Sequence, residues 1–207
     1  MYTPPKFRME DPAIISNFFR KHSFGLLLTI KETEIHDTHT PFLIDEEQGS
    51  LIGHIARANP QWHSWDASTT AKVIFTGPHA YISPSYYASD FNVPTWNYTA
   101  VSVSGKLDVI EKSEEKLAFL DRLTAHYEPQ EAPWTLDRND ARYMNLLDGI
   151  VVFKVSMDHV AASFKLNQNK TIADQESVIA ALYKSGNASD QEVAAMMQKR
   201  LQCNCNK

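Results

Sequence analysis

The sequence predicts an α+β protein, mainly β: an antiparallel barrel, closed or partly open, finished by a helical hairpin. Three observations carry this expectation. Apolar, β-branched runs of strand length recur at 24–30, 51–56, 71–75, 99–103 and 149–155. Few helical stretches lie between them, and parallel neighbours would each need a long crossover. Beyond residue 167 the periodicity is helical.

Taken in order, Glu10, Asp11 and Pro12 suit the first turn of a helix. Ile14, Ile15, Phe18 and Phe19 give it one apolar face, and His22-Ser23 ends it. The continuous run 24–30 reads as a strand buried on both faces. Residues 34–44 return as its partner, with Pro41 indicating an edge or an interruption. A third strand covers 51–56, and Asn59-Pro60 starts a short helix or turn through Trp62, Trp65 and Asp66. Residues 71–75 and 99–110 are strands four and five. Between them, 76–98 reads as a long ordered loop carrying Tyr81, Tyr86, Tyr87, Phe91, Trp96 and Tyr98 among Pro78, Pro84 and Pro94. Disordered segments are poor in aromatics, so such a loop packs on a ligand or on a partner subunit.

Ser113 is placed as the N-cap of the next helix, with Glu114 and Glu115 in its first turn and Leu117, Leu120, Leu123 and Tyr127 along it. Pro129 and Pro133 break the chain, and 137–147 predicts a short helix. Strand 149–155 resumes at 160–166. Helices over 174–184 and 190–201 follow; Gly186-Asn187 stops the first, and Ser189 with Glu192 makes a capping box for the second. The chain therefore reads as a barrel domain, 1–166, with 167–207 a hairpin packed on it and no independent domain.

At 207 residues, with 43% hydrophobic and 22% charged, the chain suits one large globular domain, or a domain with a small appendage, and a core of ordinary size. A net charge of −5 disfavours nucleic acid as a direct partner. From Ser163 onward six Lys/Arg stand against four Asp/Glu, which a solvated helix surface explains as well as DNA contact does. The two cysteines, Cys203 and Cys205, are poorly spaced for a mutual disulfide and supply no metal tetrad. No run is long and apolar enough to span a membrane, and no leader pattern is visible, so a cytoplasmic location is expected.

Several groups of residues could carry chemistry. After the third strand, His54, Arg57, Asn59 and Gln61 arrive within a few residues: a guanidinium, amides and free backbone N–H groups at a strand end suit a phosphate. A surface arginine and a capping asparagine explain the same residues. His36, His39, His54, His63 and His79 lack metal-ligand spacing, so no metal is expected. The aromatic loop ends in Trp96-Asn97-Tyr98, rings able to stack on a planar ligand or to fill a dimer interface. Lys165, followed by Asn167, Gln168 and Asn169, offers a cation and amides at the end of a strand, and equally a polar connector. The final hairpin has the length of a helix-turn-helix, but its second helix begins with Asp190 and Glu192 where a recognition helix meets DNA. No nucleophile elbow, phosphate loop or nucleophile–histidine–acid arrangement is present, so no catalytic residue is assigned.

The blocks His54-Ile55-Ala56-Arg57-Ala58-Asn59-Pro60-Gln61-Trp62, Gly77-Pro78-His79-Ala80-Tyr81-Ile82-Ser83-Pro84-Ser85-Tyr86-Tyr87, Val93-Pro94-Thr95-Trp96-Asn97-Tyr98 and Lys165-Leu166-Asn167-Gln168-Asn169-Lys170 resemble the PaiB family, in order and over nearly the whole chain. The resemblance implies an FMN-binding split β-barrel that works as a homodimer with flavin at the subunit interface, and a negative transcriptional regulator of protease production and sporulation. It places the flavin phosphate at His54, Arg57, Asn59 and Gln61, the ring along His39 and Thr40, Trp96 and Asn97 as contributions from the partner subunit, and Lys165 and Asn167 in the late-strand block. Asn167 stands where the family commonly has serine. A flavin-dependent oxidoreductase and a haem-handling protein are the alternatives that related barrels imply. DNA is expected as a partner either directly or through another protein.

Overall fold

The computed structural model describes residues 1–131, 134–135, 137–138 and 140–205, so Pro133 lies outside the described residues. The elements are α1 (Pro12–Lys21), β1 (Phe24–Lys31), β2 (Glu34–Asp45), β3 (Ser50–Ala56), a 3₁₀ turn (Pro60–Ser64), β4 (Thr70–Ile82), β5 (Thr95–Ile110), α2 (Ser113–Tyr127), α3 (Ala141–Leu146), β6 (Ile150–Ser156), β7 (His159–Lys165), α4 (Ile172–Lys184) and α5 (Ala188–Cys205). The strands hydrogen-bond in the order β4-β1-β2-β3-β6-β5-β7, and β4 also pairs with β5, the closing contact of a barrel. The pairings β1–β2, β1–β4, β2–β3, β3–β6 and β5–β6 are antiparallel.

Two expectations are corrected along these strands, and one is met. Pro41 marks an interruption of the pairing. β2 pairs with β1 as far as Pro41, opposite Phe24, and with β3 from Phe42, opposite Gly53, so the residue without an N–H stands where the strand changes partner. β1 is not buried on both faces: Leu27 and Thr29 are interior, whereas Phe24 and Ile30 are exposed. The aromatic loop is shorter than expected. β4 continues to Ile82 and β5 begins at Thr95, so Tyr81, Trp96 and Tyr98 are strand residues and the connection is only 83–94. Aromatic side chains favour pleated backbone, and that preference extends both strands past the β-branched runs.

The chain forms two compact units. The first comprises 16–75 and 103–160. Phe75 sits at its centre, edge-on to Phe19 (5.0 Å) and Phe42 (5.5 Å), while Phe153 meets Phe42 (6.0 Å) and Trp65 (5.1 Å). Amphipathic α2 lays Phe119 on Leu43, Ile52, Ile110 and Val152. Its N-cap is Lys112, which makes no side-chain cap bond; Ser113 is the first helical residue, so the helix begins one residue earlier than expected.

The second unit comprises 1–15, 76–102 and 161–207. Its interior includes Val178 and Leu182 of α4 and Val193, Ala194 and Met197 of α5. Thr171 caps α4 by accepting from Asp174 N. The expected capping box of α5 is absent. Asn187 Oδ1 accepts from Ser189 N (2.8 Å), and the Ser189 hydroxyl donates to His79 O (2.7 Å) and accepts from His79 N (3.0 Å), tying the hairpin to β4. The connection 83–94 is anchored from the hairpin side. Buried Asp174 accepts from Ser89 N (2.9 Å) and the Ser89 hydroxyl, and the Ser89 N–H holds its carboxyl below the usual range. Asn167, at a φ of 58°, donates to Tyr87 Oη (3.3 Å), and Lys170 donates to Asn92 (2.6 Å) while lying 5.1 Å from the Tyr87 ring centroid. With Val193, Ala194 and Met197 turned inward, the part of α5 that a recognition helix would offer exposes Gln191, Glu192, Ala195, Gln198 and Lys199, a single cation among them.

Candidate functional site

In the first unit the sheet and the turn after β3 bring His39, Thr40, His54, Arg57, Asn59 and Gln61 into one region. Asn59 caps the 3₁₀ turn, its Oδ1 accepting from Gln61 N (2.9 Å), as Asn59-Pro60 implies. This directs Gln61 inward, where it is only 2% exposed. Its Oε1 accepts from the Thr38 hydroxyl (2.5 Å), and its Nε2 donates to the Thr29 hydroxyl (3.0 Å) and to His36 O (3.2 Å). Asn59 Nδ2 donates to Thr38 Oγ1 (2.8 Å). Both amides are therefore engaged within the protein, joining β1, β2 and the turn; they brace the region from beneath.

Thr29 and Thr38, which complete this brace, carry no sequence signal beyond threonine's ordinary fitness for strands. Only the β1–β2 register and the long-range return of Gln61 reveal them. Replacing Gln61 with alanine leaves the Thr29 hydroxyl and the His36 carbonyl without this partner and should lower unfolding stability by about 2 kcal/mol. Urea titration measures it directly.

Arg57 and His54 are placed differently. Arg57 Nε donates to Asp148 O (2.5 Å) and Nη2 to Ile150 O (3.2 Å), its guanidinium lies 5.3 Å from the Trp62 ring centroid, and Trp62 Nε1 returns a bond to Arg57 O (2.8 Å). Two carbonyls and an aromatic face hold the fork in place, while Nη1 has no partner among the described residues. This is a preorganised, exposed cation. His54 packs edge-on to Phe119 (5.7 Å), burial lowers its pKa, and its buried Nδ1 is unpartnered. Its carbonyl accepts from the buried Thr40 hydroxyl. His39 is exposed and stacks on Phe24 at 6.0 Å.

In the second unit, Trp96 is 53% exposed and lies beside Tyr81 and His79, each with a ring centroid 5.9 Å away. Asn97, its neighbour, points the other way by strand alternation. It is fully buried, its Nδ2 3.4 Å from Met197 Sδ and its Oδ1 unpartnered, so its surroundings are those of a core residue rather than of a group offered to a second chain. Lys165 donates to Thr95 Oγ1 and lies 5.9 Å from the Phe7 ring centroid. Asn167 is buried on Tyr87. Neither the cleft lined by Ile172, Ile179, Tyr183 and Leu201 nor the one lined by Phe19, Phe42, Ile44 and Arg122 includes any of these candidates. No cluster of His, Cys, Asp and Glu able to hold a metal occurs among the described residues.

Each unit by itself offers groups suited to a phosphorylated, aromatic ligand. In the first, Arg57 is a cation free of carboxylate partners among the described residues and His54 keeps an unpartnered buried nitrogen; in the second, Lys165 is likewise free of carboxylate partners and Trp96 presents an exposed ring.

Comparison with known proteins identifies the lineage. Residues 1–159 match the FMN-binding domain family FMN_bind_2. The chain is 35% identical over 207 residues to the protease synthase and sporulation protein PAI 2 of Bacillus subtilis, covering 97% of this chain and 98% of that one. An uncharacterized protein of Aspergillus fumigatus is 30% identical over 90% of this chain and 92% of its own. Among solved structures, the FAD and heme binding protein of Mycobacterium smegmatis superposes with a TM-score of 0.60 at 13% identity, over 84% of this chain and 79% of that chain. The flavocytochrome Anf3 of Azotobacter vinelandii gives 0.59 at 13% identity, over 86% and 76%. These two likenesses establish the fold alone, a split β-barrel. The family match and the near full-length identity to PAI 2 establish more: the chain belongs to the PaiB family of FMN-binding domain proteins.

Proposed function

We propose that this chain is a homodimeric FMN-binding regulator that lowers transcription, in the manner the PaiB resemblance implies, with the flavin between subunits. One observation supports the flavin reading above the others: the exposed Arg57 fork, held by two carbonyls and Trp62 with Nη1 unpartnered, in a chain whose residues 1–159 match an FMN-binding family. On this reading Arg57 and His54 meet the flavin of their own protomer, His39 and Thr40 line the ring by their backbone, and Asn59 and Gln61 position the turn beneath. Trp96 and Lys165 reach the same flavin from the partner. The dimer reading is supported by the outer face of the β1–β2 hairpin, where Phe24, Ile30 and Ile35 are 62%, 67% and 65% exposed, with Ile30 directly opposite Ile35. Exposed apolar side chains gathered on one strand face suit an interaction site.

The regulatory reading rests on the 35% identity to PAI 2. The net charge of −5 favours an effect exerted through a partner protein over direct operator binding.

Flavin fluorescence titration tests the cofactor site. Arg57→Ala and Lys165→Ala should each weaken FMN by about 10–100-fold, the worth of a charge-assisted hydrogen bond, while leaving riboflavin binding unchanged. Unaltered FMN affinity in both variants sinks the proposed phosphate contacts.

A further inference from the structure

The N-terminal segment brings a second cation to Lys165. Arg8 bridges Ser163 in an antiparallel sense, and Met9 N donates to Ala162 O (3.0 Å). That register carries Lys6, two residues before Arg8, toward Lys165, two residues after Ser163. The chain turns there in a 3₁₀ turn, Pro5–Phe7, closed by Phe7 N donating to Pro4 O (2.9 Å). Phe7 is buried, and both ammonium groups gather on its ring: Lys6 Nζ is 5.2 Å from the centroid and Lys165 Nζ 5.9 Å. Thr95 adds a hydroxyl that already touches Lys165.

This arrangement lacks its counter-charge. Neither lysine forms an ion pair with a described residue, and Glu10, an acid of the same segment, pairs with Arg8 (3.4 Å). Like charges set opposite each other across paired strands are destabilising, and a ring quadrupole compensates only partly. The cost is visible in Lys165, whose pKa is lowered first by burial and then by the Lys6 charge. A fold that gathers two cations at one ring, one of them on a hydroxyl, with no carboxylate paired to either, is suited to an anion from outside.

We propose that Lys6, Lys165 and Thr95 form a seat for a phosphate group. Two ammoniums match the charge of a phosphate dianion, their rotatable N–H donors and the hydroxyl suit its oxygens, and Phe7 shields one side from water. Lys6 is the new member of this set, and its role stands whether or not Arg57 also meets a phosphate. The group can belong to the flavin or to a separate phosphorylated ligand.

The test is calorimetric titration of inorganic phosphate, at low salt, into protein stripped of bound flavin, with Lys6→Met and Lys165→Met as variants and circular dichroism to verify their fold. The seat requires saturable binding by the wild type that weakens about tenfold or more in each variant. Wild-type protein that takes up no phosphate, or variants that bind it equally well, overturn the proposal. Competition then identifies the source. Displacement by FMN and not by riboflavin assigns the seat to the flavin phosphate; undiminished phosphate binding in FMN-saturated protein assigns it to a separate ligand. Loss of phosphate binding in Lys6→Met with normal FMN affinity in Arg57→Ala and Lys165→Ala would leave the seat standing and remove the flavin contacts proposed above.

Discussion

Replacing Gly105 with alanine is expected to destabilise the protein by about 3–5 kcal/mol, because its Cβ would make the closest approach of any described glycine. Gly105 lies in β5, where the strand runs past the end of β6. A Cβ built there falls 1.8 Å from Ser156 O and 2.7 Å from Ser156 C, main-chain atoms that no rotamer change can move. The contact is fixed from both sides: Lys106 N donates to Ser156 Oγ (2.8 Å), and two residues further on the β5–β6 ladder begins with Leu107 opposite Val155. Relief requires parting the two strands, which breaks that ladder at its first rung. A loss of this size is a large fraction of the stability of an ordinary domain. Gly186 is the control, since a Cβ there meets nothing within 4 Å; Gly186→Ala should change stability by less than about 0.5 kcal/mol. Chemical denaturation of the two variants side by side gives the comparison, and a Gly105→Ala protein as stable as the control would mean that β5 and β6 do not approach as described.

The second large effect concerns association. Ile30 and Ile35 are directly opposed at the end of the β1–β2 hairpin, on the outer face with Phe24, Leu26 and Leu28, while the inner face of the same strands holds Leu27, Thr29 and Thr40. On the dimer reading proposed above, this apolar stretch of the outer face meets the partner. In a two-fold dimer each substitution enters the interface twice, so Ile30→Glu with Ile35→Glu places four carboxylates where apolar contact is needed. Desolvation and like-charge repulsion of several kcal/mol should raise the dimer dissociation constant by at least ~100-fold. If the proposed dimer forms through this face, sedimentation should find the double variant monomeric at concentrations where the wild type associates, with circular dichroism unchanged because the residues are exposed in the single chain. If the flavin lies between subunits, FMN affinity falls in the same variant. A double variant that stays dimeric moves the interface elsewhere.

Much of this architecture is legible in residue types. β1, β3 and β6 follow from apolar runs whose ends coincide with the observed strands to within a residue or two, and Asn59-Pro60 announces the turn it caps. The misreadings share a cause. The run 24–30 is apolar on both faces, and no local pattern separates a strand buried within the chain from one whose outer face is apolar and exposed. Tyr81, Trp96 and Tyr98 looked like loop residues because prolines surround them, yet their β-preference prevails once β4 and β5 pair. Ser189 has the spacing of a cap, but its hydroxyl is claimed by His79 across more than a hundred residues of chain. Gln61 and Lys6 illustrate the same limit at the candidate site: the first reads as a phosphate ligand and proves to be a buried brace, and the second has no sequence signal because its partner arrives through the Arg8–Ser163 bridge. Residue type indicates what chemistry is available; only long-range register decides which side chains remain free to use it.

That the chain carries FMN is tested most directly by its absorbance. The purified protein, supplied with excess FMN and then freed of unbound flavin, should be yellow, with the flavin bands present in equimolar ratio to the chain and shifted from those of free FMN. A protein that emerges colourless contradicts the account.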